Sequence, residues 1–416
     1  MRGKCRDSLA LADFVGDMMD AYVLDWVNLL LRWAHVIVAI AWIGSSFYFV
    51  FLDNSLTPPQ DQLSKDKGVS GELWAIHGGG FYHPQKYLVS PKKIPEHLHW
   101  FYWESYSTWL TGFALFTVLY LYQASSFLID KSLHDWAPPA AIAAALAFLV
   151  VFWVVYDVIC RAFGRRDGGD LIVSIGVTVF VVFASWLACH LFAGRAAFLL
   201  VGAMMATSMS ANVFFWIIPG QRKVIAQLRA NEPVDPVHGQ RAKQRSVHNT
   251  YFTLPVLIAM LSNHYGFLYA APQNWLVLVI IMLAGALIRH SFVARHQALV
   301  QDRPVPWAYA IVGTLLIVGL AGWLMPAPQP KAAVAAPVSY AELRAVLDAR
   351  CAMCHNEQLA SKNVALHTPE LVARNAQMLY QQAAVLKTMP LNNATQITDA
   401  ERALIGRWFD QGAPLK

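Results

Sequence analysis

Cys351-Ala-Met-Cys354-His355 places two thiols within one helical turn and an imidazole directly after the second. This spacing is the attachment pattern of a c-type haem: the thiols add to two vinyl groups and the adjacent imidazole meets the iron from one face. The sixth ligand has to come from further along the chain. Met389, 34 residues past His355 and followed by Pro390, lies in a polar loop between helix-like segments and is the first choice. Met378 falls inside a helix-like segment, Met353 sits within the motif, and His367 is a further candidate. A zinc site would need a second pair of ligands, and the segment has no other cysteine. A thioredoxin-like pair would need a βαβ setting, which the pattern does not offer. One covalent haem c is expected, with Cys351 and Cys354 on the macrocycle and His355 and Met389 on the iron.

A second set of chemical groups lies in or beside long apolar stretches. His35, His190, His248, His264 and His290 are there, and His97 and His99 precede another such stretch. Ionisable residues inside a membrane span are functional candidates. Histidines at two depths suit paired b-type haems held by two imidazoles from facing helices. His35, His99, His248, His264 and His290 are the candidate ligands of a b-haem, and the pairing stays open. The bland alternative for each is a hydrogen-bonded helix residue.

The third set is in one long loop: Glu72-Leu-Trp-Ala-Ile-His77-Gly-Gly-Gly-Phe-Tyr-His83, followed by His97-Leu-His99-Trp-Phe-Tyr-Trp-Glu104. Glu72, His77 and His83 are candidate acid/base groups. The three glycines let backbone N–H groups approach an anionic or planar ligand, and no Gly-x-x-x-x-Gly-Lys pattern makes them a nucleotide loop. The alternative is an interfacial loop with aromatic anchors. Asp157 and Arg161, one turn apart, are expected to form a structural ion pair.

What must position these groups is set by composition. Of 416 residues, 56% are hydrophobic and only 14% charged, against about 25% charged in a soluble domain. That excludes a disordered chain and a disulfide scaffold, and calls for a lipid bilayer as partner. Eight apolar stretches near 27–50, 107–128, 138–158, 171–192, 196–218, 251–271, 275–292 and 307–325 are each long enough to be expected to cross about 30 Å of hydrocarbon. The alternate connections 53–104, 159–170, 219–250 and 293–306 hold 16 lysines and arginines, the opposite side five. The positive-inside rule puts the first group in the cytoplasm and both termini outside. The net charge of +6 is therefore read as topology, with no nucleic acid partner.

The expected fold is all-α: a polytopic membrane helix bundle of about eight spans plus a small class I cytochrome c-like domain. Residues 1–21 are an N-terminal extension without a signal-peptide pattern. Met18 or Met19 would serve equally as a start, so a start-site artefact is one reading of it. Residues 22–325 form the membrane domain and 326–337 a Pro/Ala-rich linker. Residues 338–416 form the C-terminal domain, with Thr398 and Glu401 spaced as a capping box. Haem c is attached on the outer side, so this domain is expected in the periplasm of a bacterial inner membrane.

Three segments together carry a family resemblance: Trp-Ile-Gly-Ser-Ser-Phe-Tyr in the first span, Glu-Leu-Trp-Ala-Ile-His-Gly-Gly-Gly-Phe-Tyr, and His-Trp-Phe-Tyr-Trp-Glu-Ser-Tyr. With the domain order, from about residue 20 to the end, the chain resembles the bacterial membrane-bound urate hydroxylases, a urate oxidase N-terminal membrane domain joined to a cytochrome c. The resemblance implies oxidation of urate to 5-hydroxyisourate in purine catabolism. Electrons would leave through the cytochrome to a cytochrome c oxidase or another respiratory acceptor, without peroxide. It assigns no catalytic residues. A conduit carrying electrons from quinol or a partner dehydrogenase to periplasmic acceptors shares the haem expectations and needs no urate site.

Overall fold

The computed structural model describes residues 2–87, 91, 94–325, 337–361 and 364–415, with side chains from Tyr22 onward. The linker expected at 326–337 lies almost wholly outside the described residues, as do the side chains of 1–21.

Among the described residues, five helices are long and apolar enough to cross a membrane: Tyr22–Ser55, Pro138–Phe163, Gly169–Leu191, Gly194–Arg229 and Asn274–Val300. Trp307–Trp323 is a shorter apolar helix. Two further expected spans are interrupted. Trp103–Phe116 passes into a π turn and breaks at Tyr122 and Gln123. Pro236–Leu261 starts in a polar segment, contains Pro255, and ends in the 3₁₀ turn Ser262–His264. Its start is set by local chemistry. Asp235 accepts from the Val237 N–H at 2.9 Å, and Pro236 takes the first helical position, where no N–H is needed.

Burial runs opposite to that of a soluble bundle. Val150, Val154 and Val158 are exposed on one face of Pro138–Phe163, while Ala145, Leu149, Phe152 and Tyr156 are buried on the other. The outward faces of Gly169–Leu191 and Trp307–Trp323 are likewise apolar, with Leu171, Ile175 and Val179 on one and Ile311, Leu315 and Val318 on the other. Water would penalise such stripes; hydrocarbon does not. The central helix is Gly194–Ala211, whose Ala196, Ala197, Leu200, Val201, Met204 and Met205 are all buried. Gly202 lets Pro236–Leu261 close on it, since a Cβ there would come within 2.9 Å of Ala259 Cβ. Small residues at such a crossing allow the close backbone approach on which helix packing in lipid depends.

Side-chain contacts sort the connections into two ends. At one, Arg222 lies 5.9 Å from the Trp100 ring, Gln244 bonds the Gly164 carbonyl, and Phe51 meets His296 at 5.0 Å. All four lysine- and arginine-rich connections therefore share one end, here called the basic end. At the other, Tyr120 and Arg195 both donate to Asn263 Oδ1, at 2.6 and 3.0 Å. Trp136 Nε1 reaches the Leu191 carbonyl there.

An all-α expectation needs one correction. The loop at the basic end holds two small antiparallel sheets, Val69–Glu72 with Gln85–Tyr87 and Ala75–His77 with Gly80–Tyr82. Gly78 and Gly79 have φ +58° and +80°. Two consecutive positive φ angles are what a type I′ hairpin turn requires, so these glycines serve the turn.

Beyond the linker, Tyr340–Arg350 and Asp399–Asp410 each begin with a capping box, Ser339 with Glu342 and Thr398 with Glu401. They pack with Pro369–Arg374 around Leu343, Leu347, Val372, Ile405 and Trp408, all fully buried or nearly so. Trp408 is the largest of these and donates to the Pro414 carbonyl at 2.8 Å. Trp408→Ala is expected to destabilise this domain by about 3–5 kcal/mol through the cavity left behind. Denaturant-dependent proteolysis of the C-terminal segment in the full chain would show it. An unchanged midpoint would mean that Trp408 does not close this core.

Candidate functional site

Three places hold the residues singled out in the sequence. In the basic-end loop, Glu72 is buried and its Oε2 lies 3.0 Å from His83 Nε2, while its Oε1 accepts from the Gln60 N–H at 3.3 Å. Trp74 lies flat on the His83 ring, with centroids 4.0 Å apart. Glu72 and His83 thus form a couple. His77 stands apart at the hairpin end, exposed, opposite Gly80. Ile76 and Phe81 beside it are 73% and 75% exposed, and a Cβ on Gly78 or Gly79 would meet nothing within 4 Å. No wall of this part of the chain closes over the hairpin tip.

The second place is a cavity of about 1520 Å³ at the basic end, walled by Pro138–Phe163, Gly169–Leu191, Pro236–Leu261, Asn274–Val300 and Trp307–Trp323, with Trp216 of Gly194–Arg229. His248 and His290 both line it. His248 Nδ1 is 2.8 Å from the Tyr156 hydroxyl and 3.8 Å from Cys160 Sγ. Tyr156 also accepts from Asn212, which in turn donates to Asn249, so the imidazole stands on a buried polar chain. His290 Nδ1 is 2.7 Å from the Tyr251 hydroxyl, and its ring meets Tyr309 edge-on at 4.5 Å. The ion pair expected between Asp157 and Arg161 is a long contact of 3.9 Å. The close partner of Asp157 is Arg245, at 2.6 Å, and Trp216 Nε1 donates to the same oxygen at 2.8 Å.

The remaining candidate haem ligands in the membrane domain are scattered. His35 Nδ1 is 3.1 Å from Thr111 Oγ1, and its ring fills the space over Gly112, where a Cβ would come within 2.8 Å of Cε1. His99 packs edge-on against Phe101 in the loop, and His264 is exposed at the opposite end. His190 bonds the Trp186 carbonyl of its own helix.

The third place is the Cys351–His355 turn. Cys354 N–H and His355 N–H both return to the Cys351 carbonyl, at 3.1 and 3.0 Å, which makes one tight turn of the motif. His355 Nδ1 lies 2.9 Å from the Val364 carbonyl. A carbonyl only accepts, so Nδ1 carries the proton and Nε2 keeps its lone pair. Met389 is half-buried, whereas Met353 and Met378 are 64% and 49% exposed. The buried Arg402 donates to the Met389 carbonyl at 2.7 Å and to the Ala383 carbonyl, pinning the loop that carries this methionine. His367 Nδ1 is buried without a hydrogen-bond partner. The same loop rests on the membrane domain, where Asn392 Nδ2 donates to the Ser126 carbonyl at 2.6 Å.

The cavity is what the sequence reasoning missed. Its signal was present: Arg241, Arg245, His248 and Phe252 recur at helical spacing, so one face of Pro236–Leu261 carries two cations and an imidazole into an apolar segment.

No curated protein and no solved structure matches the chain. The family described as urate oxidase N-terminal matches residues 21–324, which takes in the loop and the cavity and stops before the Cys351–His355 turn. By that match over most of its length, the chain belongs to the urate oxidase N-terminal family.

Proposed function

We propose that the chain is a membrane-bound urate hydroxylase that passes electrons from urate to a c-type haem on its own C-terminal domain, and from there to a respiratory acceptor. Urate and water give 5-hydroxyisourate: a C5–O bond forms, two electrons leave the purine and two protons are released. The observation that carries this reading is the joining of a urate oxidase N-terminal domain to a Cys-x-x-Cys-His turn whose histidine Nδ1 bonds the Val364 carbonyl. A carbonyl accepting from Nδ1 is a common way to fix a ligating imidazole with Nε2 free.

Haem c would supply a one-electron Fe(III)/Fe(II) couple. Cys351 and Cys354 would hold it through thioethers, His355 and Met389 would be its iron ligands, and Arg402 would fix the loop that carries Met389. The membrane to be crossed is about 30 Å thick, which calls for an intermediate redox group, and b-haem is the proposal for it. His35, His99 and His264 lie at separate places, while His248 and His290 line one cavity, each with its Nδ1 on a tyrosine hydroxyl. No step is derived through such a group.

Two hydrogen-bonded couples at the basic end could take the proton that water loses on adding to C5: Glu72 with His83, and Tyr251 with His290. The placement of that end in the cytoplasm, and of the C-terminal domain in the periplasm of a bacterial inner membrane, is part of the same proposal.

Adding urate to the isolated, oxidised protein without partners is expected to develop the reduced haem c Soret and α bands, with no peroxide formed. A haem spectrum indifferent to urate but responsive to a quinol would replace this reading by the electron conduit.

A further inference from the structure

The cavity at the basic end has a charge pattern that nothing in its helix packing calls for. Arg161, Arg165, Arg166, Arg241, Lys243 and Arg245 line it, against one carboxylate, Asp170. Four of the cations, Arg161, Arg165, Arg166 and Lys243, are exposed at its rim; Arg241 is half-buried and Arg245 is 3% exposed. Surface lysines and arginines at this end are accounted for by topology. A buried arginine is not.

Arg245 is held in a fixed plane. Its guanidinium lies 4.9 Å from the Tyr156 ring and 5.3 Å from the Trp216 ring, and its Nη2 pairs with Asp157. Its Nη1 is buried with no hydrogen-bond partner. A buried guanidinium N–H left unmade is costly, and a planar acceptor bound in the cavity would satisfy it. Arg241, one turn earlier on the same helix, lies 5.5 Å from the same Trp216 ring.

We propose that this cavity is the urate-binding site, with Arg245 Nη1 as a hydrogen-bond donor to the purine anion and the rim cations drawing it in. Urate is a planar monoanion near neutral pH, edged with carbonyl acceptors and N–H donors. The lining matches that chemistry: guanidinium donors, the His248 and His290 imidazoles, tyrosine hydroxyls and the Trp216 face. The volume exceeds a purine several-fold, so the buried end near Arg245 is the site and the outer part is its entrance. The lining is mixed, with Val177, Val247, Phe252 and Leu287 beside the polar groups, and what favours a small anion over a haem macrocycle is the gathering of six cations there. The assignment rests on the urate reading and goes beyond it by naming where the anion sits.

The test is equilibrium dialysis of urate against the purified, oxidised full chain. Arg245→Lys keeps the charge and loses the planar donors; it is expected to weaken binding by about tenfold to hundredfold, the scale of a hydrogen bond to a charged group. Because Arg245 also supports Asp157, a second variant guards against misfolding. Arg241→Gln with Lys243→Ser at the rim should weaken binding by about threefold, the scale of exposed ion pairs, and the difference should shrink at high salt. Wild-type affinity in both variants overturns the site while leaving the urate reading standing. A second, non-covalent haem lost on His248→Ala would show the cavity to be a cofactor site and overturn the proposal. Absence of urate binding by the unaltered chain would sink the urate reading itself.

Discussion

Replacing Cys351 and Cys354 together with alanine is expected to give a protein that binds urate normally and delivers no electrons. The two thiols sit on one turn closed by the Cys351 carbonyl, so both thioethers depend on that turn and nothing else in the C-terminal domain can replace them. Its core is built on Leu343, Val372, Ile405 and Trp408; Cys351 packs against its edge and Cys354 is exposed, so two alanines remove little of that packing, and the membrane domain is a separate packing unit around Leu200 and Met204. Covalent haem staining on a denaturing gel should vanish, and urate-driven reduction of an added one-electron acceptor should fall to background. Urate affinity should stay within about twofold, below the scale of a single lost exposed ion pair. Retained covalent haem would remove the attachment assignment. Retained electron output without haem would mean that electrons leave by another group. A single Cys351→Ala should leave one thioether and a shifted haem spectrum, because the second thiol and His355 still share the turn.

How far the amino-acid sequence discloses this molecule depends on the range of each interaction. The helices were legible because their signal is local: runs such as Val150–Val158 are apolar on every face that meets lipid. The capping box at Thr398 is legible for the same reason, being closed within four residues. The glycine run suits either close approach to a ligand or an interfacial loop, and the sequence does not disclose the hairpin at 75–82, where Gly78 and Gly79 supply two positive φ angles to a turn. Asp157 shows the limit most plainly. Arg161, one turn away, was the partner that periodicity could offer, but Arg245, 88 residues on, has the closer approach and the burial. A cavity assembled from six helices has no local signature beyond the face of each helix. Only the Arg241–Arg245–His248 stripe could have pointed to it.

The same geometry separates the two histidines that could act on the substrate. His83 has a carboxylate partner, but it lies flat beneath Trp74 in a loop whose tip is exposed among the described residues. His290 has a hydroxyl partner, Tyr251, and lines the cavity with Arg245 and His248. A general base must come within hydrogen-bond reach of the proton it removes, so position outranks partner here. His290→Gln is expected to lower kcat by about 10²–10⁴-fold, the usual contribution of a general base. KM should change little, since the cations that hold the anion are untouched. His83→Gln should stay within about threefold of wild type, because the Gln amide can still donate to the buried Glu72 carboxylate, which also keeps the Gln60 N–H. Tyr251→Phe should fall between them: it frees the His290 ring to rotate without removing it, and its loss should narrow when kcat is followed to higher pH, where hydroxide lessens the need for a base. Steady-state reduction of the haem by urate across pH, with haem content equalised, measures all three. If His83→Gln proves the severe variant and His290→Gln the mild one, the chemistry belongs to the loop, and the cavity only gathers the anion that the loop consumes.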